Sequence, residues 1–153
     1  MAHFTYLWTN ECRLNWIAKG FEGNPLDVSA GSAFTKRGVK KGDIMYVLCV
    51  ENGLVFLIGR MKVARILSRA AYDAEFGNPE LWDGDEVVVG ENGTPCRFNF
   101  TIPPYKLKNL RFERKGKAVG ALVMDGKLVD RQSLRSVREL NWESVAGLNM
   151  LLP

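Results

Sequence analysis

Val39-Lys-Lys-Gly-Asp-Ile-Met-Tyr-Val-Leu-Cys-Val-Glu-Asn-Gly-Leu-Val-Phe-Leu-Ile-Gly-Arg-Met-Lys-Val63 is the stretch on which the fold turns. Two apolar runs, Ile44 to Val50 and Leu54 to Met61, flank Glu51-Asn52-Gly53. Asn-Gly between β-prone segments predicts a tight hairpin, because both residues accept the positive φ that a type I′ turn requires. The runs are nearly continuous in apolar residues rather than alternating. Strands of that kind are covered on both faces, so the pattern predicts a central hairpin wrapped by the rest of the chain, as in a small closed or half-closed barrel.

Upstream, Phe4 to Thr9 is aromatic and reads as the first strand, and Arg13 to Lys19 as a short helical or irregular segment. Gly20 to Ser32, with Asn24-Pro25 and Ala30-Gly31-Ser32, reads as a loop of a length that in compact domains usually carries function. Ser32 to Gly38 has room for a short helix ended by Gly38, and Lys41-Gly42-Asp43 turns into the hairpin. Downstream, Val63 to Leu67 continues the strand. Ser68 caps a helix that runs to Phe76 and stops at Gly77-Asn78-Pro79. A strand over Glu86 to Gly90 turns through Glu91 to Pro95 into an alternating strand from Cys96 to Ile102, which Pro103-Pro104 ends. Leu107 to Phe112 forms a further short strand or turn, and Ala118 to Met124 pairs with Lys127 to Val129 across Asp125-Gly126. Asn141 caps a C-terminal helix whose Trp142, Val145, Leu148 and Leu152 share one face. The class expected is α+β, one domain over residues 1–153, with a mixed barrel of about five to seven strands, short flanking helices and a C-terminal helix.

Composition removes several functions. No apolar run approaches the roughly 20 residues that span a bilayer, and the first residues lack a basic stretch followed by an apolar one, so no membrane is expected and the location expected is cytoplasmic. Cys12, Cys49 and Cys96 are odd in number and far apart, which suits core positions rather than disulfides or a metal knuckle. His3 is the single histidine, so Ser-His and Cys-His catalysis and His-dependent zinc chemistry lack their parts; no metal or cofactor is expected. Glu11, Lys19, Glu22, Asp27 and Asp43 are the available acid/base groups, with no spacing that singles any of them out, and the chain is read as a non-enzyme.

The net charge of +4 is unevenly spread. Lys36 to Arg69 holds eight basic residues against Asp43 and Glu51, and Arg97 to Lys117 seven against Glu113, whereas Asp73 to Glu91 holds seven acidic residues and no basic one. Lys36, Arg37, Lys40, Lys41, Arg60 and Arg65, at the ends of the hairpin, are candidate phosphate contacts, with Lys62 among them. Tyr6, Trp8 and Trp16 lie close in sequence, and Phe34, Tyr46 and Trp82 can be brought near them by the fold. Such rings beside Asn10, Asn15 and Ser32 could stack on a planar base whose edge the polar groups read, or cage a methylated ammonium.

The order of these features resembles the PUA-like superfamily, in particular its EVE and ASCH members. An aromatic strand ends in Trp8, a loop carries Trp16 and Ser-Gly residues, and Val39-Lys-Lys-Gly-Asp-Ile-Met-Tyr46 and Leu57-Ile-Gly-Arg-Met-Lys-Val63 follow. Ser29-Ala-Gly-Ser-Ala-Phe34, together with Gln132-Ser-Leu-Arg-Ser-Val-Arg-Glu-Leu140, is similar to the EVE-like specificity domains attached to HNH restriction endonucleases of bacteria. The resemblance implies a reader that flips 5-methylcytosine or a related base out of duplex DNA into an aromatic pocket made by Trp8, Asn10, Trp16, Ser32 and Phe34. It implies a nuclease domain or subunit as partner, because a chain with one histidine holds no His-Asn-His module. It leaves open two alternatives: an RNA-binding PUA-like domain, or an ASCH-type amidohydrolase acting on a modified nucleoside, with Lys19 and a nearby Glu.

Overall fold

The computed structural model describes residues 1–77, 80–114, 117–120, 123–124, 127–128, 134 and 137–153, with 114, 117–120, 123–124 and 127–128 as backbone alone. The central hairpin is β3 (Ile44–Glu51) and β4 (Leu54–Ser68), joined by Asn52 and Gly53 at φ of 52° and 75°. Both turn residues are in the left-handed region, as the Asn-Gly signal requires. Around the hairpin lie β1 (His3–Trp8), α1 (Asn10–Ala18), β2 (Val28–Gly31), α2 (Arg69–Phe76) and β5 (Glu86–Glu91). The C-terminal part supplies α3 (Pro104–Leu107), β6 (Arg111–Arg114), β7 (Lys117–Gly120), β8 (Val123–Met124), β9 (Lys127–Leu128), β10 (Val137–Glu139) and α4 (Trp142–Asn149). The α+β class holds, with a six-stranded sheet in the order β10-β1-β3-β4-β5-β2. β1 and β3 run parallel and the other neighbours antiparallel. The mixed barrel of about five to seven strands expected is met by a mixed sheet of six, laid out as an open ladder.

The sheet is buried on both sides, which is why β3 reads as continuously apolar. Met45, Val47 and Cys49 enter one core with Trp8, Trp16, Phe34 and Phe98; Tyr46, Leu48 and Val50 enter a second with Phe112, Leu140 and Leu148. In β4 a bulge sets the phase. Val47 pairs with Gly59 and Leu48 with Leu57, leaving Ile58 as an extra residue. Beyond it Met61 and Val63 face the first core, so the intervening Arg60 and Lys62 project from the second side.

Local chemistry explains the ends. Thr9 caps α1, its hydroxyl accepting from Cys12 N at 3.2 Å, which starts this helix earlier than Arg13. Ser68 caps α2 by accepting from Ala71 N, and Gly77 ends it in the left-handed region; Asn78 and Pro79 lie outside the described residues. Asp43 makes the Lys-Gly-Asp turn, its carboxylate accepting from Ala2 N and Lys40 N, each at 2.9 Å. Residues 34–38 form turns ended by Gly38 rather than a helix.

Further expected elements differ, beginning with Val28–Gly31, which lies within the expected loop and pairs as β2. Residues 96–102 run beside β4, with Arg97 N donating to Ile58 O and Ile102 N to Val55 O, but the backbone turns at Phe98 and Asn99 instead of pairing as a strand. The Phe98 carbonyl is taken by Arg13. Lys117–Gly120 pairs with β6, and among the described residues Val123–Met124 pairs with Lys127–Leu128; Asp125 and Gly126, expected as the turn between them, lie outside the described residues, as do Val129, Gln132, Ser133, Arg135 and Ser136. Asn141 caps α4 as expected, but Trp142 is 75% exposed, and the helix packs through Ser144 and Leu148. Among the described residues no helix is long and apolar enough to cross a membrane.

Candidate nucleic-acid interface

The aromatic residues do gather, in a chain of edge-on contacts beside α1. Trp8 and Trp16 lie 5.0 Å apart between ring centroids, Trp8 and Trp82 4.7 Å, Trp16 and Trp82 5.5 Å, and Trp16 and Phe21 5.0 Å. Such T-shaped pairs set ring edges against negative ring faces. Trp8 is buried at the centre, with its indole N–H donating to Ser29 Oγ at 2.9 Å; Trp82 donates to Ala30 O, also at 2.9 Å. These two bonds tie the cluster to β2.

Trp16 is 6% exposed, and its indole nitrogen is buried with no acceptor among the described residues. It forms one wall of a cleft of about 340 Å³, whose other walls include Phe21, Asn24, Pro25, Asp27, Val28, Tyr72, Leu81 and Cys96, with Glu80 at the rim. Ligand pockets of this order, largely apolar with a few placed polar groups, hold small planar molecules. The polar groups are Asn24, Asp27, Tyr72 and Cys96. Partial burial raises the Asp27 carboxyl above its ordinary pKa, although the residue is exposed at the rim. The Tyr72 hydroxyl is raised by burial, then by the Asp27 charge, while Arg69 acts the other way. Cys96 is pushed up to about 12, first by burial and then by Asp27 and Glu22, so it lines the cleft as a neutral thiol.

The expected pocket residues divide. Trp16 borders the cleft. Trp8 and Phe34 lie beneath the surface and line no part of it; Phe34 is fully buried against Tyr6, with centroids 4.8 Å apart. Asn10 begins α1 and spends its side-chain oxygen on Arg13 Nε at 3.0 Å, and Ser32 is exposed. Ala33 beside it holds φ at 64°, an uncommon conformation for a residue with a Cβ.

Among the expected cations, Lys36, Arg37, Lys40 and Lys41 are exposed. Arg65 makes a two-pronged ion pair with Glu75, both bonds at 2.6 Å, so a phosphate would compete with a carboxylate there. Arg60 is half-buried on the second side of the sheet and donates to Asn149 Oδ1.

No protein-family model and no curated protein matches the sequence. One solved structure is similar. It is the crystal structure of ASCH from Zymomonas mobilis, with a TM-score of 0.45 and 10% identity over 99% of this chain and 96% of that one.

Of the acid/base candidates, Lys19 pairs with Glu80 at 3.1 Å at the edge of the cleft, Glu22 accepts from Phe98 N at 3.0 Å, and Asp43 is committed to its turn. Phe21, Asn24, Tyr72, Leu81 and Cys96 were not singled out by residue type. The signal that reaches five of the lining residues is the length of the Gly20 to Ser32 loop, which supplies Phe21, Asn24, Pro25, Asp27 and Val28.

Proposed function

We propose that this protein binds nucleic acid and takes one modified base, 5-methylcytosine or a related one, into the cleft beside Trp16. The observation that carries the reading is the combination of three aromatic walls, Trp16, Phe21 and Tyr72, with Asn24 and Asp27 in one cleft. Stacking on such rings contributes about 1–3 kcal/mol per base, enough to offset the few kcal/mol that extruding a base costs. A carboxylate is the acceptor suited to the cytosine amino group, an amide can meet the adjoining ring edge, and Val28 and Leu81 offer apolar contact for a methyl. The exposed cations from Lys36 to Lys41 would add sequence-independent affinity for the backbone. Duplex DNA is the substrate proposed first and RNA second. The chain acts as the specificity element, and cleavage, where it occurs, is left to a nuclease domain or subunit.

The test is equilibrium binding of duplexes with and without a single 5-methylcytosine at one salt concentration, alongside Tyr72→Ala and Phe21→Ala. Tighter binding of the modified duplex, lost in both variants, supports the reading; equal affinity across a panel of modified cytosines contradicts it.

A second reading is favoured by the carboxylates of Asp27 and Glu80 and by the lack of a cation among the described lining residues: the same rings could hold a methylated ammonium. Binding of a trimethyl-lysine peptide, with none of modified DNA, would select it.

A further inference from the structure

The second side of the sheet carries a different site. The bulge at Ile58 sends Arg60 and Lys62 to the face that holds Tyr46, and the β3–β4 register places Tyr46 opposite Arg60 and Ile44 opposite Lys62. The two cations are therefore neighbours on one face, fixed by strands rather than by a loop. His3 reaches the same place from β1, Asn149 from the last turn of α4, and Asn92 from the turn after β5. Together they line a cavity of about 190 Å³, several times the roughly 30 Å³ share of one liquid water.

Its chemistry is one-sided. The described residues lining it include a guanidinium side chain and a lysine, an imidazole, a phenol and two carboxamides, and no carboxylate. Arg60 and Lys62 make no ion pair among the described residues. The nearest carboxylate by register is Glu91, across from Lys62 on β5, and it pairs with neither cation. The site is also braced: Asn149 Oδ1 accepts from Tyr46 Oη at 2.8 Å and from Arg60 Nη1 at 2.6 Å, and Tyr46 Oη stands 3.5 Å from His3 Nδ1. A guanidinium nitrogen is thus used to hold the group in place, and Lys62 follows two residues along the strand on the same face. The potential here is felt by His3, whose pKa is lowered by burial and then by the N-terminal amine and Arg60, against an opposing effect of Asp43.

We infer that this cavity is an oxyanion site for a phosphoryl group, held between Arg60 and Lys62 with the imidazole of His3 beside them. Planar guanidinium donors beside a compact ammonium are the pairing that phosphate recognition uses. The inference does not depend on base binding beside Trp16, because that cleft opens from the first core, on the other side of the sheet.

The test is titration at constant ionic strength with inorganic phosphate, with a 5′-phosphorylated oligonucleotide and with its 5′-hydroxyl counterpart. Binding is read calorimetrically and by the side-chain amide resonances of Asn92 and Asn149. Saturable binding of one or more of the three, weakened at least tenfold in Lys62→Gln and in Arg60→Gln but unchanged in Lys108→Gln, an exposed lysine outside both sites, is the result expected. Preference for the phosphorylated oligonucleotide identifies a terminal phosphate, equal binding of the two identifies the backbone, and response to inorganic phosphate alone identifies a free ion. No saturable binding, or binding that Lys62→Gln leaves intact, overturns the inference. If Arg60→Gln fails to fold, Lys62→Gln decides, since Lys62 takes no part in the Asn149 brace.

Discussion

Replacing Arg13 tests how the sheet holds α1 and, through it, Trp16. Arg13 is 3% exposed and yet reaches five partners. Its Nε donates to Asn10 Oδ1 at 3.0 Å, Nη1 to Phe98 O at 2.9 Å and Asn99 Oδ1 at 3.2 Å, and Nη2 to Glu51 Oε2 at 2.5 Å, with the guanidinium 4.2 Å from the Phe56 ring centre. In Arg13→Ala the Phe98 carbonyl loses its buried donor, at about 1–3 kcal/mol, and the charge-assisted bond to Glu51 goes with it. Glu51 is 39% exposed in its side chain and can return to water, so that part of the loss is discounted. The sum expected is about 3 kcal/mol, toward the lower end of the cost of breaking a buried pair. For a chain of this size that lowers Tm by roughly 6–12 °C. Urea denaturation gives the free energy from midpoint and slope. Arg13→Lys keeps the charge without the planar fork and should recover less than half of the loss. A cost below about 1 kcal/mol for Arg13→Ala, with an unchanged slope, would show that the network is satisfied by water and that the reasoning from burial fails.

Further outcomes follow from local geometry. A Cβ on Gly93 would stand 1.8 Å from the Leu26 carbonyl oxygen, which is backbone and cannot swing away, so Gly93→Ala should cost about 3 kcal/mol or more by urea denaturation. Gly147→Ala in α4 meets nothing within 4 Å and should stabilise by about 0.5–1 kcal/mol in the same assay. Burial raises the thiol pKa of Cys12 and Cys49 above its ordinary value and pushes that of Cys96 up to about 12. The folded state therefore holds these protons more tightly than the unfolded chain. Their contribution is complete below the ordinary thiol pKa and declines as pH rises through it toward the folded value. Wild type should accordingly lose stability relative to Cys96→Ala as pH rises above about 9, and a difference constant with pH would contradict the assignment.

What the sequence made legible is what short-range chemistry decides. Asn52-Gly53 specifies its turn because two consecutive positive φ values admit few residues, and Ser68, Gly77 and Asn141 cap helices through bonds made within four residues. The uninterrupted apolar runs foretold burial on both faces. Position across the sheet was not legible. One extra residue at Ile58 reverses which side chains share a face, and Gly59, a strand glycine of the kind found at bulges, marks the neighbourhood without fixing which residue is the extra one. The cleft draws Trp16 from α1, Tyr72 from α2, Glu80, Leu81 and Cys96 from loops, and the remainder from Phe21 to Val28, where the chain enters β2, so no window of sequence contains it. Trp142 shows the opposite failure: its helical spacing matches a buried stripe, but α4 turns Ser144 inward, whose hydroxyl accepts from Arg111 N at 2.8 Å, and leaves the indole in solvent.

The four tryptophans give the most direct test of base recognition. Each indole N–H contributes one resonance, and that of Trp16 is assigned by its disappearance in Trp16→Phe. Titration with a duplex carrying a single 5-methylcytosine should shift the Trp16 indole resonance saturably and leave exposed Trp142 unmoved, with a weaker response to the unmodified duplex. Binding of the modified duplex with the Trp16 resonance unchanged would place recognition elsewhere and contradict the account.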